Sequence, residues 1–152
     1  MKLLLTIGLA SLLTACANTV TTTQVDVQSV TFVSTSGTVA PPYWRGVSLI
    51  VGKDLTTKQV TTGSYGSTTL DTKSGTITQA QFDELVKALS DADFTHVKST
   101  ALTPPPVGGG ISSLTVQTDK GKYEFFGPST YTFPPAIGSV FEMRGQYMPQ
   151  GK

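Results

Sequence analysis

The chain of 152 residues has one cysteine, one histidine and one tryptophan, and its charges nearly cancel, with 11 basic against 10 acidic side chains. One cysteine excludes an intramolecular disulfide, so a domain of this length has to be held by its apolar core. One histidine, His96, beside one cysteine leaves too few soft ligands for a conventional zinc or copper site, and neither a metal nor another cofactor is expected. Lysine and arginine are scattered singly, which excludes the basic face that nucleic acid needs. No apolar run approaches the roughly 20 residues that a membrane-spanning helix requires.

What is present starts at Met1-Lys2, a short cationic end, followed by the apolar stretch Leu3 to Leu13 and the small residues Thr14-Ala15 before Cys16. That order of charge, apolar core and small-residue cleavage site is the plan of an export signal. Leu13-Thr14-Ala15-Cys16 resembles the lipobox of bacterial membrane lipoproteins. The resemblance covers the first 16 residues. It implies that residues 1–15 are a signal peptide cut before Cys16, that the Cys16 thiol carries diacylglycerol, and that the lipid bilayer is a partner through that anchor. Two or more acyl chains make such an attachment stable where one is marginal. In the family, Asp directly after the cysteine retains the protein at the inner membrane; Ala17 stands there instead, which implies the periplasmic face of the outer membrane if the host is Gram-negative.

Without residues 1–15 the only charged side chain lost is Lys2, so the remaining 137 residues carry 10 charges of each sign. Residues 16–40 read as the anchor and a Thr/Ser-rich spacer, with Val25, Val27, Val30 and Phe32 alternating with one slip in phase, a pattern that suits an edge strand over 25–33 carrying a bulge. Residues 41–152 read as a single α+β domain. Tyr43 to Gly52 is rich in β-branched and aromatic residues, Lys53 to Thr56 is a turn, and Lys58 to Thr62 is a return strand, which together predict a hairpin. Gly63 to Gly75, dominated by Gly, Ser and Thr, reads as a long surface loop that touches a sheet edge at Thr68–Leu70.

Thr78 and Gln81 have the spacing of a capping box, with Ile77 and Phe82 as a hydrophobic staple. Phe82, Leu85, Val86 and Leu89 then fall on one face and predict an amphipathic helix over 79–90. Thr103 to Gly110 joins three prolines to three glycines, an exposed stiff arm before a soft joint. Leu114, Val116 and Thr118 alternate up to Asp119-Lys120-Gly121-Lys122, a second hairpin, and Pro134-Pro135 opens a short C-terminal helix that carries Ile137, Val140 and Phe141. These elements predict an antiparallel sheet of four to six strands with an amphipathic helix and a short C-terminal helix packed on one face.

Catalytic constellations are thin. His96 stands alone beside Phe94 and Val97, no Gly-x-Ser-x-Gly context surrounds a serine, and Asp83-Glu84 and Asp91 with Asp93 are the charges expected of a solvated helix. Gly108-Gly109-Gly110 lacks the spacing and the Lys-Ser or Lys-Thr of a phosphate loop. The aromatic rings of Tyr123, Phe125, Phe126, Tyr131 and Phe133 read mostly as core.

The residues left for recognition are Tyr43, Trp44 and Arg45, which belong to the types most enriched at binding hot spots, and Pro104, Pro105, Pro106, Gly108, Gly109 and Gly110 of the loop. The expectation is therefore a non-enzymatic envelope lipoprotein with a protein partner. An inhibitor of a periplasmic hydrolase, a protease or a lysozyme, acting through loop 103–110 is the alternative, and a sugar- or acyl-acting enzyme centred on His96 or on the paired acids is the second.

Overall fold

A computed structural model describes residues 25–37, 39–98, 109–128 and 133–150. Cys16 and the lipobox, the spacer up to residue 24, Pro104, Pro105, Pro106, Gly108 and Tyr131 lie outside the described residues.

Six strands form one antiparallel sheet: β1 (Val27–Thr35), β2 (Arg45–Gly52), β3 (Thr56–Gly63), β4 (Thr68–Thr76), β5 (Ile111–Thr118) and β6 (Gly121–Pro128), in the spatial order β4-β3-β2-β1-β5-β6. Helix α1 (Gln79–Asp91) links β4 to β5, and α2 (Pro135–Glu142) runs into a 3-10 turn at Met143–Tyr147. This is the α+β architecture that the sequence predicts.

Alternation along the strands decides which face is buried. Val30 stands opposite Val51 and Val116, Phe32 opposite Leu49 and Leu114, and Leu114 opposite Phe125, so one apolar band crosses β2, β1, β5 and β6. Phe82, Leu85 and Leu89 of α1 and Ile137, Val140 and Phe141 of α2 are buried in the same core. Each such side chain stabilises the fold by about 1.5–3 kcal/mol when fully removed from water. Rings interlock the layers: Phe32 lies 5.9 Å from Phe141 and 6.4 Å from Tyr147, and Phe94 meets Tyr123 edge-on at 5.1 Å. The opposite face presents Ser29, Thr31, Ser48, Ile50 and Thr115, none of them fully buried.

Helix α1 starts as its local sequence dictates. The Gln81 amide donates to Thr78 Oγ1 at 3.2 Å, and the Thr78 amide donates to Gln81 Oε1 at 2.9 Å. It ends where Asp93 takes a left-handed conformation (φ 48°), and the Asp93 amide donates to the Ser90 carbonyl at 2.9 Å.

Two expectations need correction. The pattern over 25–33 predicts an edge strand beside the spacer; β1 is instead interior, paired with β2 on one side and β5 on the other. The phase slip is real, a register shift between Val27 and Ser29, but strand order depends on long-range pairing that a local pattern does not encode. The composition of 63–75 predicts a loop that touches a sheet edge at Thr68–Leu70, whereas the whole of Thr68–Thr76 forms β4. An edge strand needs no apolar period, because its backbone bonds to β3 and its side chains stay in water. Charged pairs sit along both open edges, Lys73–Asp71 at 3.9 Å on β4 and Lys122–Glu124 at 3.0 Å on β6.

The C-terminal segment crosses the helix-side face toward β4. A Cβ on Gly75 would stand 3.1 Å from Thr57 Oγ1 and 3.2 Å from Pro149 Cβ, so glycine lets the chain end lie against the sheet. Beneath it, the hydroxyls of Thr57 and Tyr147 are buried without a hydrogen-bond partner. Burial, and to a lesser degree the charge of Glu84, pushes the Tyr147 phenol up to about 12.

Candidate interaction surface

β1 ends, β2 begins, β3 ends and β4 begins at one end of the sheet, and there two connecting segments meet. The β1–β2 connection is closed by the Ser36 amide on the Arg45 carbonyl (2.7 Å) and the Arg45 amide on Ser36 Oγ (2.8 Å). Inside it, Pro41–Tyr43 makes a single 3-10 turn, and the Tyr43 amide donates to the Ala40 carbonyl at 2.9 Å. Proline suits the first position of such a turn because its φ is already set and its missing N–H would have no partner. The turn holds the Tyr43 side chain out, 75% exposed.

Trp44 folds the other way. A Cβ at Gly46 would lie 2.7 Å from Trp44 Cη2 and 2.8 Å from Thr62 Oγ1, so glycine at 46 lets the indole lie close against the sheet. Its ring meets Tyr65 at 5.8 Å. Tyr65 reaches it from the β3–β4 connection, where Ser64 and Tyr65 both take positive φ (48° and 56°). Consecutive left-handed residues other than glycine cost about 1–2 kcal/mol each, and such strain gathers where a side chain must be aimed. The Tyr65 hydroxyl donates to the Val39 carbonyl and ties the two connections together.

Arg45 turns its Nη1 back onto the carbonyls of Pro42 (2.8 Å) and Trp44 (2.7 Å), which splints the turn. Leu70, beside the irregularity in the β3–β4 register, packs over Gly63 on the helix-side face. Of the six large apolar side chains exposed among the described residues, four lie at this end: Val39, Tyr43, Tyr65 and Leu70. Exposed apolar groups gathered in one place mark a contact surface more than the same groups scattered.

Of the residues the sequence singles out, Tyr43, Trp44 and Arg45 are thus brought together as one aromatic turn. Gly109 and Gly110 arrive at the same end. Gly110 departs from the expected exposed joint: it is buried, and a Cβ there would stand 2.2 Å from the Thr35 carbonyl oxygen. Its glycine serves close packing on β1. Tyr65, Val39 and Leu70 were missed, because Ser64-Tyr65-Gly66 sits in a stretch of low apolar content that reads as bare loop. The turn signal Ser-Tyr-Gly between two β-prone runs was the available clue.

The residues weighed for catalysis lie elsewhere. His96 is exposed after α1, its Nδ1 2.7 Å from Asp93 Oδ1 and 3.2 Å from Thr95 Oγ1. Both neighbours address the same ring nitrogen, whereas a hydrolytic triad sets nucleophile and acid on opposite nitrogens. Asp91 pairs with Lys87, and Asp83 accepts from Gln79 at 2.8 Å, which are ordinary contacts one helical turn apart. Among the described residues, no three His, Cys, Asp or Glu side chains converge as metal ligands, and no helix is long and apolar enough to cross a membrane. No protein-family model matches the chain, and no curated protein matches it significantly.

Proposed function

We propose that the chain is an envelope lipoprotein, anchored through Cys16, that holds its aromatic tip out to a partner protein. The carrying observation is the concentration of exposed apolar side chains at one end of the sheet, around Tyr43 and Tyr65 on strained backbone. Exposed aromatics on a splinted turn have little conformational freedom left to lose on binding, the property of a hot spot.

Topology supports a division of labour between the two ends. The chain enters the sheet at the start of β1, the end opposite the tip, and nine residues of extended strand span about 30 Å. The entry point is clamped to both neighbouring turns: the Asp26 amide donates to Asp119 Oδ1 at 2.9 Å, the Asp119 amide donates to the Asp26 carbonyl at 3.0 Å, and Lys53 Nζ reaches Asp26 Oδ2 at 2.6 Å. The Lys53 hydrogen bond, the largest influence, holds the Asp26 carboxyl below the usual carboxylate range, so the clamp loosens as acid protonates it. Ten residues from Cys16 to Asp26 reach at most about 35 Å. An anchor on that side leaves the tip facing away from the bilayer, and tethering raises the effective concentration of a neighbour in the same envelope.

A second reading has its own support. Gly110 packs beside Thr35 at the tip end of the sheet, so an inhibitory loop over 103–110 would join the sheet at the end that carries the aromatic turn.

The test is in-cell crosslinking of the lipidated chain, with Cys16→Ser and Tyr43→Ala forms in parallel. The expected result is one abundant partner that is lost in both variants, with an affinity loss of about 2 kcal/mol or more for Tyr43→Ala. Capture that survives Tyr43→Ala sinks the tip as the contact surface, and no specific capture even by the unaltered lipidated chain sinks the partner.

A further inference from the structure

On the helix-side face a second feature stands apart from the tip. A pocket of about 180 Å³ opens between β1, β2 and the C-terminal segment, with Phe32, Val47, Leu49 and Met148 as apolar walls and Arg144 at its side. The guanidinium lies over the Phe141 ring at 4.5 Å and gives one hydrogen bond, Nη1 to the Phe141 carbonyl at 3.3 Å. Among the described residues every ion pair uses a lysine or His96, so no described carboxylate neutralises Arg144. A guanidinium has five N–H donors in a fork that fits a carboxylate with two parallel bonds. Here it is oriented by an aromatic ring, and most of those donors meet no acceptor among the described residues.

The size of the hole narrows what fills it. A cavity of about 150 Å³ accommodates benzene, so this one takes a single leucine- or phenyl-sized group and not a membrane acyl chain. The geometry points to a binding site for the C-terminal residue of a partner polypeptide, with its apolar side chain in the pocket and its terminal carboxylate on Arg144. One residue then supplies both the apolar group and the opposite charge within a few ångströms. The pocket shares no residue with the aromatic tip, so failure here and failure at the tip are separate results.

The test uses the full chain in detergent and a short peptide, Ser-Gly-Ser-Leu, with a free C-terminal carboxylate, followed by methyl and backbone chemical shifts. The expected result is saturable shifts at Val47, Leu49 and Met148, an affinity about tenfold or more weaker for Arg144→Gln and for the amidated peptide, and none for Val47→Phe, which fills the hole. Arg144→Gln removes a surface ring contact and keeps the core, so its dispersed spectrum reports an intact fold. Equal binding of free and amidated peptide, unchanged affinity in Arg144→Gln, or no shifts at millimolar peptide would each overturn the assignment. Tighter binding of decanoate than of the peptide would overturn it too, in favour of a fatty acid.

Discussion

The helix-covered half of the sheet and its aromatic tip use the same residue types in opposite ways. Under α1 and α2, Phe32, Phe125 and Phe141 are buried in strand and helix positions that the backbone adopts without strain. At the tip, Tyr43 and Tyr65 are exposed, and Tyr65 is presented by two left-handed residues in a row. Aromatic content alone therefore says little about role. Burial and backbone strain separate rings that hold the fold from rings free to meet a partner.

The contrast predicts that core and tip substitutions fail in different ways. The largest effect belongs to the core: Leu85→Ala is expected to lower unfolding free energy by about 2–5 kcal/mol, read by urea denaturation. Tyr43→Ala is expected to change it by no more than about 0.5 kcal/mol while removing partner capture. A core-sized loss for Tyr43→Ala would erase the distinction.

Tyr147 sharpens the comparison from within the core. Its phenol is raised to about 12 in the folded chain against about 10 when unfolded, so above pH 10 the unfolded state loses a proton that the folded state keeps. Stability attributable to this group is unaffected below pH 10 and falls as pH rises from 10 toward 12, by up to about 2–3 kcal/mol. Tyr147→Phe removes the unpartnered hydroxyl at constant shape. It should be neutral or slightly stabilising near pH 7, and it should flatten the alkaline loss in parallel urea titrations of the two proteins. Equal alkaline slopes would show that Tyr147 does not titrate in this way.

The smallest expected effect tests strain at the tip. Ser64→Gly relieves a positive φ and should stabilise the fold by up to about 1 kcal/mol in thermal or urea melts, against the general tendency of glycine to destabilise. The Ser67 hydrogen bonds end on the Ser64 main-chain carbonyl and survive the change, so a loss of stability instead would mean that the added freedom of glycine in the unfolded chain outweighs the strain at residue 64.

Much of the fold was legible, and unevenly so. α1 was read nearly to its ends because the Thr78–Gln81 box and the Phe82, Leu85, Leu89 stripe are short-range signals, complete within the helix itself. The two hairpins were legible for the same reason. β4 was hidden because an edge strand of threonines carries no apolar rhythm, and the rank of β1 was hidden because a strand's neighbours lie far away in sequence. At the tip, Tyr43, Trp44 and Arg45 were visible as residue types. Their partner Tyr65 was not, since that contact forms only when β2 and β3 pair and bring their ends together.

The sequence by itself determined the lipobox resemblance at Cys16, the near-neutral charge, the scarcity of metal ligands and the local signals for helix and hairpins, because each resides in neighbouring residues or in composition. Only the tertiary structure decided that β1 is central, that Gly110 is packed rather than free, that Tyr65 and Leu70 join the tip, and that Arg144, with no carboxylate partner among the described residues, stands beside an apolar hole. Those outcomes depend on long-range strand pairing and on what each side chain meets across it. A linear pattern of residue types carries neither.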